Sequence, residues 1–302
     1  MVASQDYSRF ERIFSALVSP MRADESIDFA TLSKLVEFQL GRGVEGFYCC
    51  GSSGEGLLLT LDERAEIVRT VVQTAAGRAP VIAHVGTIRT ADAIALAKDA
   101  EAAGADAVSL IPPYYYRFTA EEILGYYNRV MEATSLPVII YNIPQFTQVQ
   151  FDKTLAGPLL DQEQVLGVKH TAHDLYSLER MTAAYPEKVF FNGFDEIYLS
   201  SLAAGARATI GTTVNVQPEL FLRTRALFET GDLPGARIVQ EQINNTVEEL
   251  VSQGVFRAAK YLAGDGVLEC GNLREPFEPL NDVQRKELDR LLAGIHETAA
   301  QL

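Results

Sequence analysis

Short, almost continuously apolar runs alternate along the chain with longer segments in which apolar residues recur every three or four positions. We predict that the short runs are β-strands covered on both faces, because a strand with one wet face alternates apolar and polar residues. Helices are predicted between them, and Thr60–Glu63 and Thr119–Glu122 fit the capping box that begins a helix. The predicted strands are Phe14–Pro20, Gly46–Gly51, Val81–Gly86, Ala107–Pro113, Pro137–Pro144, Val165–Thr171, Val189–Asp195 and Ala208–Thr212.

Eight successive β/α units predict an α/β fold, a closed (β/α)8 TIM barrel, since a doubly wound sheet seldom holds so many. The glycine-dense segment Gly51–Gly56 lacks both the lysine of a P-loop and the spacing of a dinucleotide-binding turn. Beyond residue 230, Leu233–Gln253 and Asp282–Ala299 have the pattern of amphipathic helices. We expect residues 1–230 to form the barrel and residues 231–302 to form a C-terminal helical extension of the same domain.

Composition narrows the class of partner. The 302 residues carry 40 acidic and 26 basic side chains, a formal charge of −14, which disfavours nucleic acid and anionic membranes as partners. The adjacent Cys49 and Cys50 lie in an apolar run, which is typical of buried thiols in a reducing compartment. No stretch of the sequence approaches the ~18 apolar residues of a membrane span. We therefore expect a cytoplasmic protein.

Lys169 stands near the end of the apolar run Val165–Thr171. Burial of an ammonium on a strand lowers its pKa and enlarges the neutral, nucleophilic fraction. Such an amine can attack a ketone and form a Schiff base. A lysine at a strand end more commonly keeps its head in water, so this interpretation needs support from other residues.

Polar side chains follow several of the other predicted strands. The carboxyl ends of barrel strands converge on one face, so these residues can meet around one pocket. The candidates are Ser52, Ser53, Tyr115, Tyr141, Lys169, Thr171, Asp195, Glu196 and Thr212.

Three segments, Gly51–Glu55, Tyr141–Pro144 and Gly167–Lys169, resemble the signature segments of the N-acetylneuraminate lyase and dihydrodipicolinate synthase superfamily. The resemblance runs in register from about Phe14 to Phe256, and three motifs in the right order are highly specific. Members of this superfamily are class I, pyruvate-dependent aldolases on a (β/α)8 barrel. The resemblance implies a homotetramer built as a dimer of dimers.

The resemblance also implies roles for individual residues. Lys169 would form the Schiff base with pyruvate or another 2-oxo acid, and Tyr141 would donate and accept protons. Ser52 would relay protons from Tyr141 toward Tyr115 of a neighbouring subunit. Ser53, with adjacent backbone N–H groups, would hold the pyruvate carboxylate. Threonine is frequent in the family where this chain has its two serines, so the hydroxyl chemistry is retained.

The identity of the second substrate depends on the rest of the pocket. Dihydrodipicolinate synthases carry an arginine shortly after the Tyr-Asn-x-Pro segment, whereas this chain has Phe146. A phenyl ring cannot replace a bidentate cation, so that activity is disfavoured. Residues that resemble the polyol-binding positions of the sialic acid lyases are Thr171, Gly193, Asp195, Glu196 and Thr212.

We therefore expect a lyase that cleaves a sialic-acid-type 2-oxo sugar acid, with N-acetylneuraminate giving N-acetylmannosamine and pyruvate. A 2-keto-3-deoxy sugar acid aldolase or dehydratase is the main alternative, and a catalytically silent sugar-acid-binding protein is the alternative from another class. No cofactor and no metal are expected, because the four histidines show no zinc-site arrangement. These histidines are His84, His170, His173 and His296.

Overall fold

The computed structural model describes residues 6–300, and within this range eight parallel strands close into a barrel in chain order. The predicted (β/α)8 TIM barrel is confirmed, with β1 paired to both β2 and β8. The outermost residues of the two predicted segments, 1–5 and 301–302, lie outside the described range. The strands are β1 (Ile13–Ala16), β2 (Gly46–Cys49), β3 (Val81–His84), β4 (Ala107–Leu110), β5 (Val138–Asn142), β6 (Val165–His170), β7 (Val189–Asn192) and β8 (Ala208–Gly211).

All eight strands lie where the apolar runs predicted them, but the predicted carboxyl ends were wrong. β1 ends at Ala16 rather than Pro20, and β4 ends at Leu110 rather than Pro113. The residues that follow, such as Leu17 and Ile111, remain buried although they have left the sheet. Because residues beyond the strand ends are also buried, an apolar run does not end where strand pairing ends.

Both predicted capping boxes are present, at Thr60 with Glu63 and at Thr119 with Glu122. Short 3-10 helices cover Ser8–Phe10, Asp195–Ile197 and Thr213–Asn215. The α-helices are α1 (Phe29–Gly41), α2 (Leu61–Ala75), α3 (Thr90–Ala103), α4 (Ala120–Met131), α5 (Pro144–Thr147), α6 (Lys153–Leu160), α7 (Leu175–Ala184), α8 (Tyr198–Ala203), α9 (Pro218–Glu229), α10 (Leu233–Gln253), α11 (Val255–Leu262) and α12 (Asp282–Ala299).

The two predicted tail helices, α10 and α12, have the predicted bounds, whereas α11 was not predicted. It begins directly after Gly254, whose positive φ of 89° interrupts the helical chain. Residue 230 lies in the turn between α9 and α10. No helix within residues 6–300 is long and apolar enough to cross a membrane.

The barrel interior is packed rather than hollow. Phe14 and Phe191 meet edge to face with ring centroids 5.8 Å apart, and Phe10 is buried in the same interior cluster. A second core lies between the strands and the surrounding helices. The apolar side chains fill the barrel interior, and the candidate polar side chains lie at the carboxyl ends of the strands.

Candidate active site

Lys169 and Tyr141 are direct neighbours on adjacent strands, since β5 and β6 pair in the register Tyr141 with Lys169. The Lys169 Nζ lies 3.9 Å from the ring centroid of Tyr141 and 4.2 Å from that of Tyr48. Lys169 is 4% exposed, and this burial lowers its pKa, while the hydrogen bond to Tyr141 acts in the opposite direction. The desolvation predicted for this lysine is therefore present.

Tyr48 and His84 complete an aromatic wall around Tyr141. The ring centroids of Tyr48 and His84 lie 6.0 Å and 5.9 Å from that of Tyr141. The Tyr48 hydroxyl donates to Ser109 Oγ at 3.1 Å, so it is already engaged. Tyr48 was missed in the sequence, although its place on the inward face of β2 could have indicated it.

The His84 imidazole is buried at the end of β3. Its Nδ1 lies 3.1 Å from the Cys50 carbonyl oxygen. Burial, reinforced by the charges of Arg64 and Lys169, lowers the pKa of His84 well below its usual value. The imidazole is therefore neutral near pH 7 and adds no positive charge beside Lys169.

The segment Gly51–Gly56, called the serine loop below, forms a tight turn after β2. The Gly56 N–H donates to the Gly51 carbonyl at 3.0 Å, and a Cβ at Gly56 would collide with the Cys50 carbonyl. Ser53 is buried, whereas Ser52 is partly exposed. The glycines therefore fix where the two serine hydroxyls lie.

Ser53 also contacts a residue that follows β8, which is separated from β2 only by β1 in the closed barrel. Its Oγ lies 2.8 Å from Thr212 Oγ1, which follows β8. The resemblance assigned Ser53 to the carboxylate and Thr212 to the polyol, so this contact was not predicted. It places two hydroxyl groups beside each other at the edge of the pocket.

Asp195 is a buried carboxyl group with one oxygen free. Its Oδ2 accepts the Thr213 N–H at 2.7 Å, while Oδ1 is buried and has no hydrogen-bond partner within residues 6–300. The same holds for Thr171 Oγ1 across the described part of the chain. Burial raises the pKa of Asp195 to about 6, although Lys169 and the Thr213 N–H favour the ionised form. Buried polar atoms normally have partners, so these two are suited to a ligand.

Two glycines make room for these atoms. A Cβ at Gly193 would collide with Thr171 Oγ1, and a Cβ at Gly211 would collide with Asp195 Oδ1. Gly193 was predicted as a site residue, whereas Gly211 was missed because a strand-end glycine has no distinctive sequence signal. Both positions therefore require glycine for steric reasons.

The rim of the pocket carries a second carboxylate. Glu196 is half-buried, and His173 Nε2 lies 3.4 Å from its Oε1. The His173 ring stacks on Phe194 with centroids 4.6 Å apart. Glu196 is therefore more accessible than Asp195, and its neighbours were not predicted.

Tyr115 is not gathered with the other candidates within this chain. Its side chain is 84% exposed and its ring packs against Tyr116 with centroids 5.1 Å apart. Its φ of 75° lies in the left-handed region, which is rare for a bulky residue. Phe146, on α5, is likewise exposed. The role of Tyr115 toward a neighbouring subunit stays a prediction.

His170 has a hydrogen-bond partner at each end of its ring. His170 is held between the Asn142 side chain and the Asp174 carbonyl, at 3.1 Å and 3.0 Å, so both ring nitrogens are engaged. Within residues 6–300, no group of three or more His, Cys, Asp and Glu side chains is arranged to hold a metal ion.

Comparison with known proteins identifies the family. The model of the dihydrodipicolinate synthetase family matches residues 9–295. The chain belongs to this family. The predicted family resemblance is therefore confirmed.

Relatives within the dihydrodipicolinate synthetase family specify the branch. An N-acetylneuraminate lyase of Rhizobium meliloti (strain 1021) is 38% identical over 287 residues, covering 95% of this chain and 96% of that protein. A catalytic lysine mutant of the Ruminococcus gnavus sialic acid aldolase has a TM-score of 0.93 at 27% identity, with 97% and 99% of the two chains covered. N-acetylneuraminate lyase from Mycoplasma synoviae has a TM-score of 0.88 at 30% identity, with 96% and 98% covered. The predicted likeness to the lyase branch is confirmed.

Proposed function

We propose that this family member is a Schiff-base-forming carbon–carbon lyase that cleaves N-acetylneuraminate to N-acetylmannosamine and pyruvate. The observation that carries the proposal is the buried Lys169 amine, 3.9 Å from the Tyr141 ring at the carboxyl end of the barrel. A desolvated amine beside a phenol supplies both the nucleophile and the proton carrier that the reaction needs. The names of the relatives support the choice of substrate.

The reaction begins when the neutral Lys169 amine adds to the ketone carbon of the open-chain sugar acid. Tyr141 donates its proton to the departing hydroxyl group, so that water leaves, a protonated imine forms and Tyr141 becomes a phenolate. The phenolate takes the proton from the hydroxyl on the carbon that becomes the aldehyde. The bond between that carbon and the carbon next to the imine breaks, and its electron pair neutralises the imine as an enamine. Protonation of the enamine and hydrolysis of the imine release pyruvate and restore the amine. The imine is the electron sink, so the proposal includes no cofactor.

Proton movement and carboxylate binding are assigned to the serine loop. Ser52 relays protons between Tyr141 and Tyr115 of a neighbouring subunit, and Ser53 holds the substrate carboxylate with nearby backbone N–H groups. The burial of Ser53 supports this assignment, because a hydroxyl bond to an anion is stronger away from water. A homotetramer, a cytoplasmic location and a single domain containing residues 231–302 belong to the same proposal.

The polyol end of the substrate is assigned to Thr171, Asp195, Glu196 and Thr212, with Gly193 providing space. Asp195 Oδ1 and Thr171 Oγ1 are buried without partners in the described chain, and sugar hydroxyls can donate to them. These groups also suit a 2-keto-3-deoxy sugar acid, which is the second candidate substrate. Dihydrodipicolinate synthesis is less favoured because Phe146 offers no cation.

Two measurements test the proposal. Borohydride reduction in the presence of pyruvate is expected to attach the three-carbon acid covalently to Lys169, whereas a silent sugar-acid-binding protein would gain no mass. Pyruvate release is expected to have a higher kcat/KM on N-acetylneuraminate than on 2-keto-3-deoxygluconate. The reverse preference would select the second candidate. Loss of turnover with a metal chelator would contradict the imine mechanism.

A further inference from the structure

A buried ion pair joins the serine loop to the C-terminal helices. The Nζ of Lys260, on α11, donates to Glu55 Oε1 at 2.7 Å, and the two side chains are 0% and 1% exposed. Loss of either partner would leave an uncompensated charge in the interior, which is strongly disfavoured. The folded loop therefore depends on α11 being in place.

Glu55 is held from three directions. Its Oε2 accepts the Arg274 N–H at 2.7 Å, and its own N–H donates to the Ser52 carbonyl at 3.2 Å. Its φ of 58° lies in the left-handed region, which a residue with a side chain adopts only when its surroundings impose it. The conformation of the serine loop is thus determined in part by contacts from residues 260 and 274.

We infer that Lys260 and Glu55 are positioning residues, through which the C-terminal helices hold the serine loop in the conformation that binds the carboxylate of the 2-oxo acid. The inference rests on the proposed function for the role of Ser53. Glu55 is two residues from Ser53, whose Oγ lies 2.8 Å from Thr212 Oγ1, so a shift of the loop moves the hydroxyl pair. The helical extension then contributes to substrate binding without contacting the substrate.

A second ion pair, which is partly exposed, lies at the opposite end of the barrel. Arg225, on α9, donates from its two terminal nitrogens to the carboxylate of Glu45, directly before β2, at 2.7 Å each. Glu45 also accepts the Ile13 N–H at the start of β1. This pair supports the fold but is remote from the serine loop. Arg225→Met is therefore the control for loss of an ion pair without loss of loop position.

Steady-state kinetics in the direction of synthesis separate the two substrates. With pyruvate and N-acetylmannosamine, Lys260→Met is expected to raise the KM for pyruvate about tenfold, as loss of one charge-assisted contact to the carboxylate would. The kcat is expected to fall as well, because the proton relay Ser52 lies in the same loop. The KM for the sugar is expected to rise less than that for pyruvate, because Thr171, Asp195 and Glu196 lie outside the loop. Arg225→Met is expected to lower Tm with both KM values unchanged.

An unchanged pyruvate KM in Lys260→Met, or an equal rise in both KM values, would overturn the inference. If Lys260→Met does not fold, Glu55→Gln decides. Glutamine keeps the shape of the side chain and an acceptor for Arg274 N–H but removes the charge that meets Lys260. The KM for pyruvate is expected to rise there too, and no rise would reject the positioning role.

Hydrogen exchange reports on the serine loop without depending on catalytic activity. The amides of residues 51–56 are expected to exchange at least about tenfold faster in Lys260→Met than in the wild type, and not in Arg225→Met. Equal exchange in the wild type and Lys260→Met would also overturn the inference. If the wild type neither releases pyruvate nor traps it on borohydride reduction, the proposed function fails while the exchange data still decide the positioning role.

Discussion

The reactivity of Lys169 depends on what its ammonium loses when it leaves water. Two aromatic faces lie 3.9 Å and 4.2 Å from the Lys169 Nζ. Desolvation lowers the pKa of Lys169, although Tyr141 and Asp195 act in the opposite direction. The same residue on an exposed strand end would be almost wholly protonated near pH 7. The barrel interior therefore supplies the activation that the amino acid alone lacks.

Substitutions of Lys169 and Tyr141 should distinguish the role of the nucleophile from that of the proton carrier. We expect Lys169→Ala to abolish turnover and Tyr141→Phe to lower kcat by about 10²- to 10⁴-fold with little change in KM, since the hydroxyl acts in the transition state. Tyr48→Phe is the matched control, because its hydroxyl is bound to Ser109. Steady-state kinetics on N-acetylneuraminate provide the measurement. A change in KM alone for Tyr141→Phe would mean that this residue only binds substrate.

We expect the Asp195 carboxyl group to lower the stability of the fold while it supports activity. Its pKa rises from 3.8 to about 6 on folding, so the folded state favours the protonated form and loses stability as pH rises through this window. Removing the charge should restore up to about 3 kcal/mol above pH 6. We expect the unfolding free energy of Asp195→Asn relative to wild type to increase between pH 4 and pH 7 while activity falls. Urea titrations of both proteins between pH 4 and pH 7 test this expectation. A difference in unfolding free energy between Asp195→Asn and wild type that does not change with pH would contradict it.

Several site residues could be predicted because short motifs carry them, whereas their contacts could not. Lys169 and Tyr141 were identifiable from their segments, but the Ser53–Thr212 contact joins residues 159 positions apart. It depends on barrel closure between β8 and β1, which brings the ends of distant segments together. Gly211 was missed for a similar reason, since its importance comes from Asp195, which follows another strand.

Among the elements, α2 has a helix start that performs two tasks. Glu63 completes the capping box with Thr60 and also receives two bonds from Arg274, which lower the pKa of Glu63 to about 2. On α4, Glu122 completes an equivalent capping box with Thr119. A local sequence pattern predicted both helix starts, but nothing local indicated that one of them also anchors the tail.

Alanine substitution of Glu63 and of Glu122 tests this difference between the two helix starts. We expect Glu63→Ala to destabilise the protein by about 1.5 kcal/mol more than Glu122→Ala, because it also loses hydrogen bonds between charged groups. The folded pKa of Glu63 is depressed, so this excess is present above pH 4.5 and declines as pH falls toward 2. Denaturant unfolding of both variants at several pH values provides the measurement. Equal losses would show that Arg274 adds nothing through Glu63.

At the scale of the whole molecule, an acidic protein has to bind an anionic substrate. The chain has a formal charge of −14, so the general field repels a carboxylate. In the proposed site, the N–H groups of the serine loop and the protonated imine on Lys169 would oppose this field locally, while His84 stays neutral. Composition gives the sign of the general field, but it could not indicate which residues would oppose it.

The proposed pocket is shared between two subunits. Tyr115 is exposed and projects from a left-handed backbone, and the proposed role places it in the Lys169 site of a second copy of the chain. If Tyr115 acts in the neighbouring site, Tyr115→Phe and Lys169→Ala variants should each be impaired, yet assemblies containing both should recover activity. Random pairing of equal amounts gives about one quarter of the wild-type sites intact, with Lys169 from one subunit and Tyr115 from the other.

Co-expression of the two variants with different tags, followed by sequential purification on both, isolates the mixed assemblies for assay. Separately purified variants mixed just before assay control for residual activity of each. Tyr114→Phe in place of Tyr115→Phe tests the register, because the half-buried Tyr114 packs against the barrel interior of its own chain. Recovery with the Tyr114 variant but not the Tyr115 variant would move the role by one residue. No recovery with either would mean that each subunit completes its own site.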